Sequence, residues 1–245
     1  MTRKYVLLSA ALCIAFIVAR VLFLQVSPAA MQVTLVLHPF VGQAPLTLNE
    51  FHYANPGGAG NFKVRSFQFF LSNIRLVADS EIYAQQESYH LARFDREDGV
   101  YRIVLANVPR GDYDYIEFGL GVDATANGTL RMQSDLDPNG RMAWSWDVGY
   151  KFVLVEGGLL VDGTQYPLVY HVGFDENYKV LSFPLPARLL LGREALLDFR
   201  VDLLRMFTAT RKVDMSSLSN VKFERDDASL LANNYAHMLQ LESMQ

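Results

Sequence analysis

"WSWDVGYKFVLVEG" (144–157) holds both tryptophans of the chain, one residue apart. Trp144, Trp146, Val148, Tyr150, Phe152 and Leu154 share one parity; Ser145, Asp147 and Lys151 share the other. A period of two is the mark of an extended strand with one buried face. On that reading the tryptophans are core residues, since aromatics on the apolar face of a strand usually serve packing. It leaves unexplained why both fall in a single W-S-W.

The same alternation recurs on either side. "VTLVLH" (33–38), "SFQFFLSNIRLV" (66–77), "YHLARF" (89–94), "VYRIVLANV" (100–108) and "YDYIEFGLGV" (113–122) read as strands before the motif. "YPLVYHVGF" (166–174), "KVLSFPL" (179–185) and "LLDFRVDLLRMF" (196–207) follow it. Turn-forming stretches separate them: "NPGGAG" (55–60), "PRGDY" (109–113), "DPNG" (137–140) and "VDGTQ" (161–165). Many short strands with such turns predict an all-β fold, an antiparallel β-sandwich with long loops. The tail "DDASLLANNYAHMLQLE" (226–242) opens on two aspartates and spaces its apolar residues helically, so it predicts one C-terminal helix. No repeat or low-complexity linker divides residues 31–245, which read as one domain.

Residues 1–30 differ in kind. Arg3 and Lys4 precede the apolar run "YVLLSAALCIAFIVA" (5–19), and "SPAA" (27–30) follows. A positive flank, an apolar run and small residues make an export signal, cleaved near Ala29 or Ala30. Arg20 and the length of the segment also suit an N-terminal membrane anchor. Either way the rest of the chain lies outside the cytoplasm, in the periplasm or at the outer face of the membrane. The only cysteine, Cys13, sits in the apolar run, so the exported part has no thiol. Disulfides, thiolate metal sites and a cysteine nucleophile are excluded there. The formal net charge is −4, and without a basic patch a nucleic-acid partner is not expected.

Hydrolase and phosphate-loop motifs are missing. "DLDPNG" (135–140) imitates the start of a calcium loop, with Asp135, Asp137, Asn139 and Gly140 in place, but a tryptophan stands where the closing glutamate would be. A tight turn is the better reading. Of the five histidines, His38 ends one strand before Pro39, and His171 lies late in another before Gly173. Each has the parity opposite to the more apolar face of its strand. Two such imidazoles can converge at one rim of a sandwich, and a thiol-free pair suits copper.

Several stretches together resemble one family: "FLSNIRL" (70–76), "YHL" (89–91), "GDYDYIEFGLGVD" (111–123), "LDPNGRMAWSWDVGYKFVLVEG" (136–157) and "YHVGF" (170–174). The closing "FRVDLLRMF" and "LANNYAHM" belong with them. The chain resembles the MbnP-like family of extracytoplasmic copper-binding proteins, associated with methanobactin operons. The similarity spans nearly all of the exported part, and W-x-W followed by G-Y-K-F and E-G is its most specific element.

The resemblance implies that Trp144, the first tryptophan of W-x-W, is oxidised to kynurenine by a partner diheme enzyme of the cytochrome c peroxidase/MauG group. It implies that this residue and histidines then bind one copper, as Cu(I), in copper homeostasis. Matched residue by residue, His38 and His171 are the metal-ligand candidates, with His90 as a further one. Trp146 would be structural or an electron relay. The chemistry accounts for the motif: an indole nitrogen has no free lone pair and can only donate, whereas opening the ring gives an aryl amine and a ketone. Tryptophan is thus a latent ligand. On this reading the protein is the substrate of its partner and not an enzyme. Two rivals stay open: a periplasmic β-sandwich binding module without metal, and a copper oxidase or monooxygenase.

Overall fold

The computed structural model describes residues 30–79, 82–94, 99–129, 131–145, 148–185 and 194–244. Residues 1–29, from the stretch read above as an export signal or anchor and including Cys13, lie outside the described residues, as does Trp146. Among the described residues no helix is long and apolar enough to cross a membrane.

The strands are β1 (Ala30–Val41), β2 (Ala44–Pro45), β3 (Tyr53–Ala54), β4 (Asn61–Val77), β5 (Ile82–Ala84), β6 (Tyr89–Arg93), β7 (Tyr101–Pro109) and β8 (Tyr115–Leu120). After helix α1 (Ala124–Thr129) come β9 (Ala143–Ser145), β10 (Gly149–Val161), β11 (Thr164–Gly173), β12 (Lys179–Pro184), β13 (Glu194–Asp202) and β14 (Asn220–Val221). Helix α2 (Arg225–Tyr235) and β15 (Leu239–Met244) close the chain.

Two sheets face each other. One runs β15-β13-β1-β2, with β7 also on β1; the other runs β12-β8-β4-β10-β11-β14, with β3, β5 and β6 on β4 and β9 on β10. Val33, Leu35 and Leu37 of β1 and Leu197 and Phe199 of β13 point from the first sheet into a core shared with Phe67, Phe69, Val153, Tyr170 and Val172 of the second. Each such fully buried Leu or Phe contributes about 1.5–3 kcal/mol relative to exposure. The all-β sandwich is as expected, but it is not purely antiparallel. β1 runs parallel to β13, with Leu35 beside Leu197 and Leu37 beside Phe199. A parallel pair needs a long crossover, here most of the chain, and a local pattern does not reveal it.

Three elements differ from their sequence reading. The strand expected over 196–207 stops at Asp202, whose carboxylate accepts from the backbone N–H of Leu204 at 3.1 Å and of Gly42 at 2.8 Å. That starts a 3₁₀ turn over Leu203–Phe207. The C-terminal helix ends at Tyr235, and the chain then pairs with β13 as β15. Leu239 and Leu241, two apart, carry a strand period that the helical spacing before them hid.

The third difference concerns the tryptophan motif. W-S-W and G-Y-K-F are not one strand. β9 folds back on β10, with Ser145 opposite Gly149 and Ala143 opposite Tyr150 across a bulge. Gly149 has φ +87°, and a Cβ there would stand 2.2 Å from Asn127 Oδ1. That oxygen accepts from the Tyr150 backbone N–H at 2.7 Å, so only glycine allows the bend. β10 itself is buried on both faces. Val153 and Val155 face the inter-sheet core, while Tyr150, Phe152 and Leu154 face a second cluster with Phe70, Leu91, Leu136 and Met142. That cluster covers the outer side of the second sheet where β4, β6 and β10 lie together.

Candidate functional site

The β9–β10 bend puts Trp144 at the end of β11. Its half-buried indole lies between Phe174 and Phe223, with ring centroids 5.4 and 5.2 Å away. Lys151, 7% exposed, holds the strand that carries it. The Lys151 backbone N–H donates to Met142 O at 2.7 Å, and its ammonium donates to Arg141 O at 2.5 Å and Ala143 O at 3.2 Å. The same ammonium stands 5.9 Å from the indole centre. Burial, then the charge of Arg141, pushes the Lys151 pKa below its ordinary value.

Gly173 packs against the indole, and His171 lies two residues back along β11, on the same face by strand alternation. His171 is paired opposite Leu154 of β10, so it shares the outer face with Glu156. Its Nε2 is 2.9 Å from Glu156 Oε1. The other carboxylate oxygen, Oε2, accepts from Arg65 at 2.7 Å and from Arg141 at 2.5 Å. Burial pushes the Glu156 carboxyl up, but the bonds from His171 and Arg65 and the charge of Arg141 outweigh it and hold it below the ordinary range. Burial also lowers the pKa of His171; Glu156 opposes this, and Lys151 and Lys222 reinforce it. This lowering favours the neutral imidazole, the form that binds a metal.

The other two histidine candidates are elsewhere. His38 points outward from the first sheet, with Nε2 3.0 Å from Asp198 Oδ1, and Asp198 also accepts from Ser243. The parity of both His38 and His171 is as expected, yet the outer faces of two opposed sheets look away from each other. The whole core lies between them, and they do not converge at a rim. His90 sits on the side of β6 opposite to Tyr89 and Leu91, which join the outer cluster. Its Nε2 is 2.7 Å from Gln85 Oε1. No three His, Cys, Asp or Glu side chains gather as a metal site among the described residues.

"DLDPNG" is a tight turn. Asp137 accepts from the N–H of Asn139 through its side chain and from that of Gly140 through its carbonyl, at 2.8 and 2.9 Å. Asp135 is engaged by the Leu91 N–H at 2.8 Å. Sequence reasoning missed Glu156, Arg141, Lys151 and Gly173. Glu156 shares the parity of Tyr150 and Leu154, but its meeting with His171 depends on the pairing of β10 with β11.

A family model for MbnP matches residues 30–238. The chain belongs to the MbnP family. Among solved structures, MbnP from Methylosinus trichosporium is similar over 76% of this chain and 80% of that chain, at 17% identity and a TM-score of 0.45. No curated protein matches the chain. The span matched by the MbnP model holds Trp144, His171 and Glu156, and His38 and His90 as well.

Proposed function

We propose that this member of the MbnP family is an extracytoplasmic copper-binding protein whose site centres on Trp144 and His171. The supporting observation is the placement of the indole against Gly173, two residues along β11 from the largely buried imidazole of His171. The site has one imidazole and one latent amine, a sparse donor set. This reading leaves out His38, whose ring is paired with Asp198 on the outer face of the other sheet.

Cu(I) suits such a set, since it accepts nitrogen donors and low coordination. Charge favours the same choice. Arg65, Arg141 and Lys151 bring three cations to one carboxylate, Glu156. Coulomb repulsion scales with the charge of the ion, so a divalent ion meets twice the repulsion of a monovalent one.

Trp144 becomes a ligand through oxidation by a diheme peroxidase partner. Cleavage of the indole C2–C3 bond adds two oxygen atoms, and two molecules of hydrogen peroxide are reduced to water. Hydrolysis of the resulting formamide releases formate and frees the aryl amine. The chain is the substrate of that step; its own task is to hold copper for homeostasis and not to turn over a substrate. The export or anchor segment over residues 1–30 is the basis for placing it outside the cytoplasm.

The test is the protein made together with a diheme peroxidase, followed by mass analysis of the Trp144 peptide and copper stoichiometry. The wild type should carry kynurenine at position 144 and one copper. Trp144→Phe keeps a ring between Phe174 and Phe223, so it should fold and bind none. Stoichiometric copper in folded Trp144→Phe overturns the reading. An unmodified Trp144 with no copper in either protein favours the metal-free binding module.

A further inference from the structure

We propose that Glu156 is a positioning residue that fixes the tautomer of His171, so that Nδ1 is the nitrogen left bare for a metal. The ligand role rests on the function proposed above; the tautomer does not.

An ionised carboxylate can only accept, and a guanidinium can only donate. The two oxygens of Glu156 are divided. Oε2 takes Arg65 Nη2 and Arg141 Nη2, at 2.7 and 2.5 Å, and Oε1 faces His171 Nε2 at 2.9 Å. Nε2 therefore carries the proton in the neutral ring, and Nδ1 keeps its lone pair. A histidine that ligates through one nitrogen commonly donates from the other to a carboxylate, which sets ring orientation and basicity. The carboxylate is held from two elements, since Arg65 lies on β4 and Arg141 precedes β9. His171 and Glu156 side chains are only 13% and 12% exposed, so water does not readily replace either partner.

The arrangement makes an isosteric substitution informative. In Glu156→Gln only the amide oxygen can accept from the two guanidiniums, whereas the amide NH₂ would meet them donor to donor, so the oxygen faces them. The amide NH₂ then faces His171 Nε2, which has to accept. The proton moves to Nδ1, and the nitrogen meant for the metal is blocked. Glu156→Asp keeps an acceptor-only group and should keep the proton on Nε2.

The experiment is long-range ¹⁵N–¹H correlation on histidine-labelled, copper-free protein, with Cu(I) affinity measured by chelator competition on the kynurenine-bearing form. We expect Nε2–H in wild type and Glu156→Asp, and Nδ1–H in Glu156→Gln. Copper affinity should fall about 10–100-fold in Glu156→Gln, the usual effect of losing such a partner. Nε2–H retained in Glu156→Gln overturns the proposal. A tautomer switch with unchanged copper affinity overturns His171 as an Nδ1 ligand while leaving the tautomer assignment standing, so the two failures are distinct.

Discussion

Gly173 lies directly against the indole of Trp144: a Cβ on Gly173 would stand 2.7 Å from Trp144 Cζ3 and 2.5 Å from the Tyr150 carbonyl oxygen. One of these neighbours is backbone, so the collision cannot be relieved by turning a side chain alone. Gly173→Ala should cost about 1–3 kcal/mol, the usual range for overpacking, and should displace the indole. Thermal unfolding and the yield of kynurenine at position 144 check this. An unchanged melting temperature with full yield would show that the indole does not depend on this close approach.

His171 and His38 should separate cleanly. His171→Ala removes the imidazole that shares a strand face with Gly173, the residue against which the Trp144 indole packs, and should abolish stoichiometric copper. His38 is 37% exposed and paired with Asp198 on the other sheet. His38→Ala should leave copper untouched and cost no more than about 1 kcal/mol, as for a half-exposed hydrogen bond. Loss of copper in a folded His38→Ala protein would contradict the arrangement of the two sheets.

Asp123 should govern part of the acid stability. Burial alone would raise its pKa, but bonds from Tyr89, Asn73 and the N–H groups of Ala126 and Thr125 outweigh burial and leave it below the ordinary value. The Tyr89 hydroxyl donates to it at 2.6 Å. A lowered pKa in the fold means that stability is fully present above the unfolded carboxylate value and is lost as pH falls through the folded one. Asp123→Asn should therefore be less stable than wild type near neutrality, and the gap should close in acid. Denaturant midpoints across that pH range test it, and a gap that widens in acid would reverse the sign.

Tyr150 is fully buried, and its hydroxyl finds no hydrogen-bond partner among the described residues. The ring meets Phe70 edge-on at 5.8 Å, within the outer cluster. Tyr150→Phe keeps this packing and removes a desolvated polar group. It should be neutral or stabilising by about 1 kcal/mol, read by chemical denaturation. A clear loss of stability would show that the hydroxyl has a partner.

Alternation along β1, β7, β8 and β11, with Gly, Asn and Pro between them, was sufficient for a layered all-β fold. The direction of a side chain along a strand depends only on the neighbouring backbone. The word W-S-W-D-V-G-Y-K-F likewise pointed to the MbnP family and to Trp144, because it needs no spatial information. Parity also placed His38 and His171 on the less apolar face of their own strands. What parity could not supply was which sheet each strand joins. His38 faces away on one layer because β1 runs beside β13, far along the chain, and His171 faces away on the other because β11 pairs with β10. The bend at Gly149 broke the apparent continuity of the motif, and burial on both sides of β10 removed the contrast on which a polar or apolar face is judged. The meeting of His171 with Glu156, and of Trp144 with Gly173, rests on strand register. Register is fixed by the collective packing of two faces, not by any single segment, so only the tertiary structure decided that His171 shares a strand face with the glycine against which the indole packs.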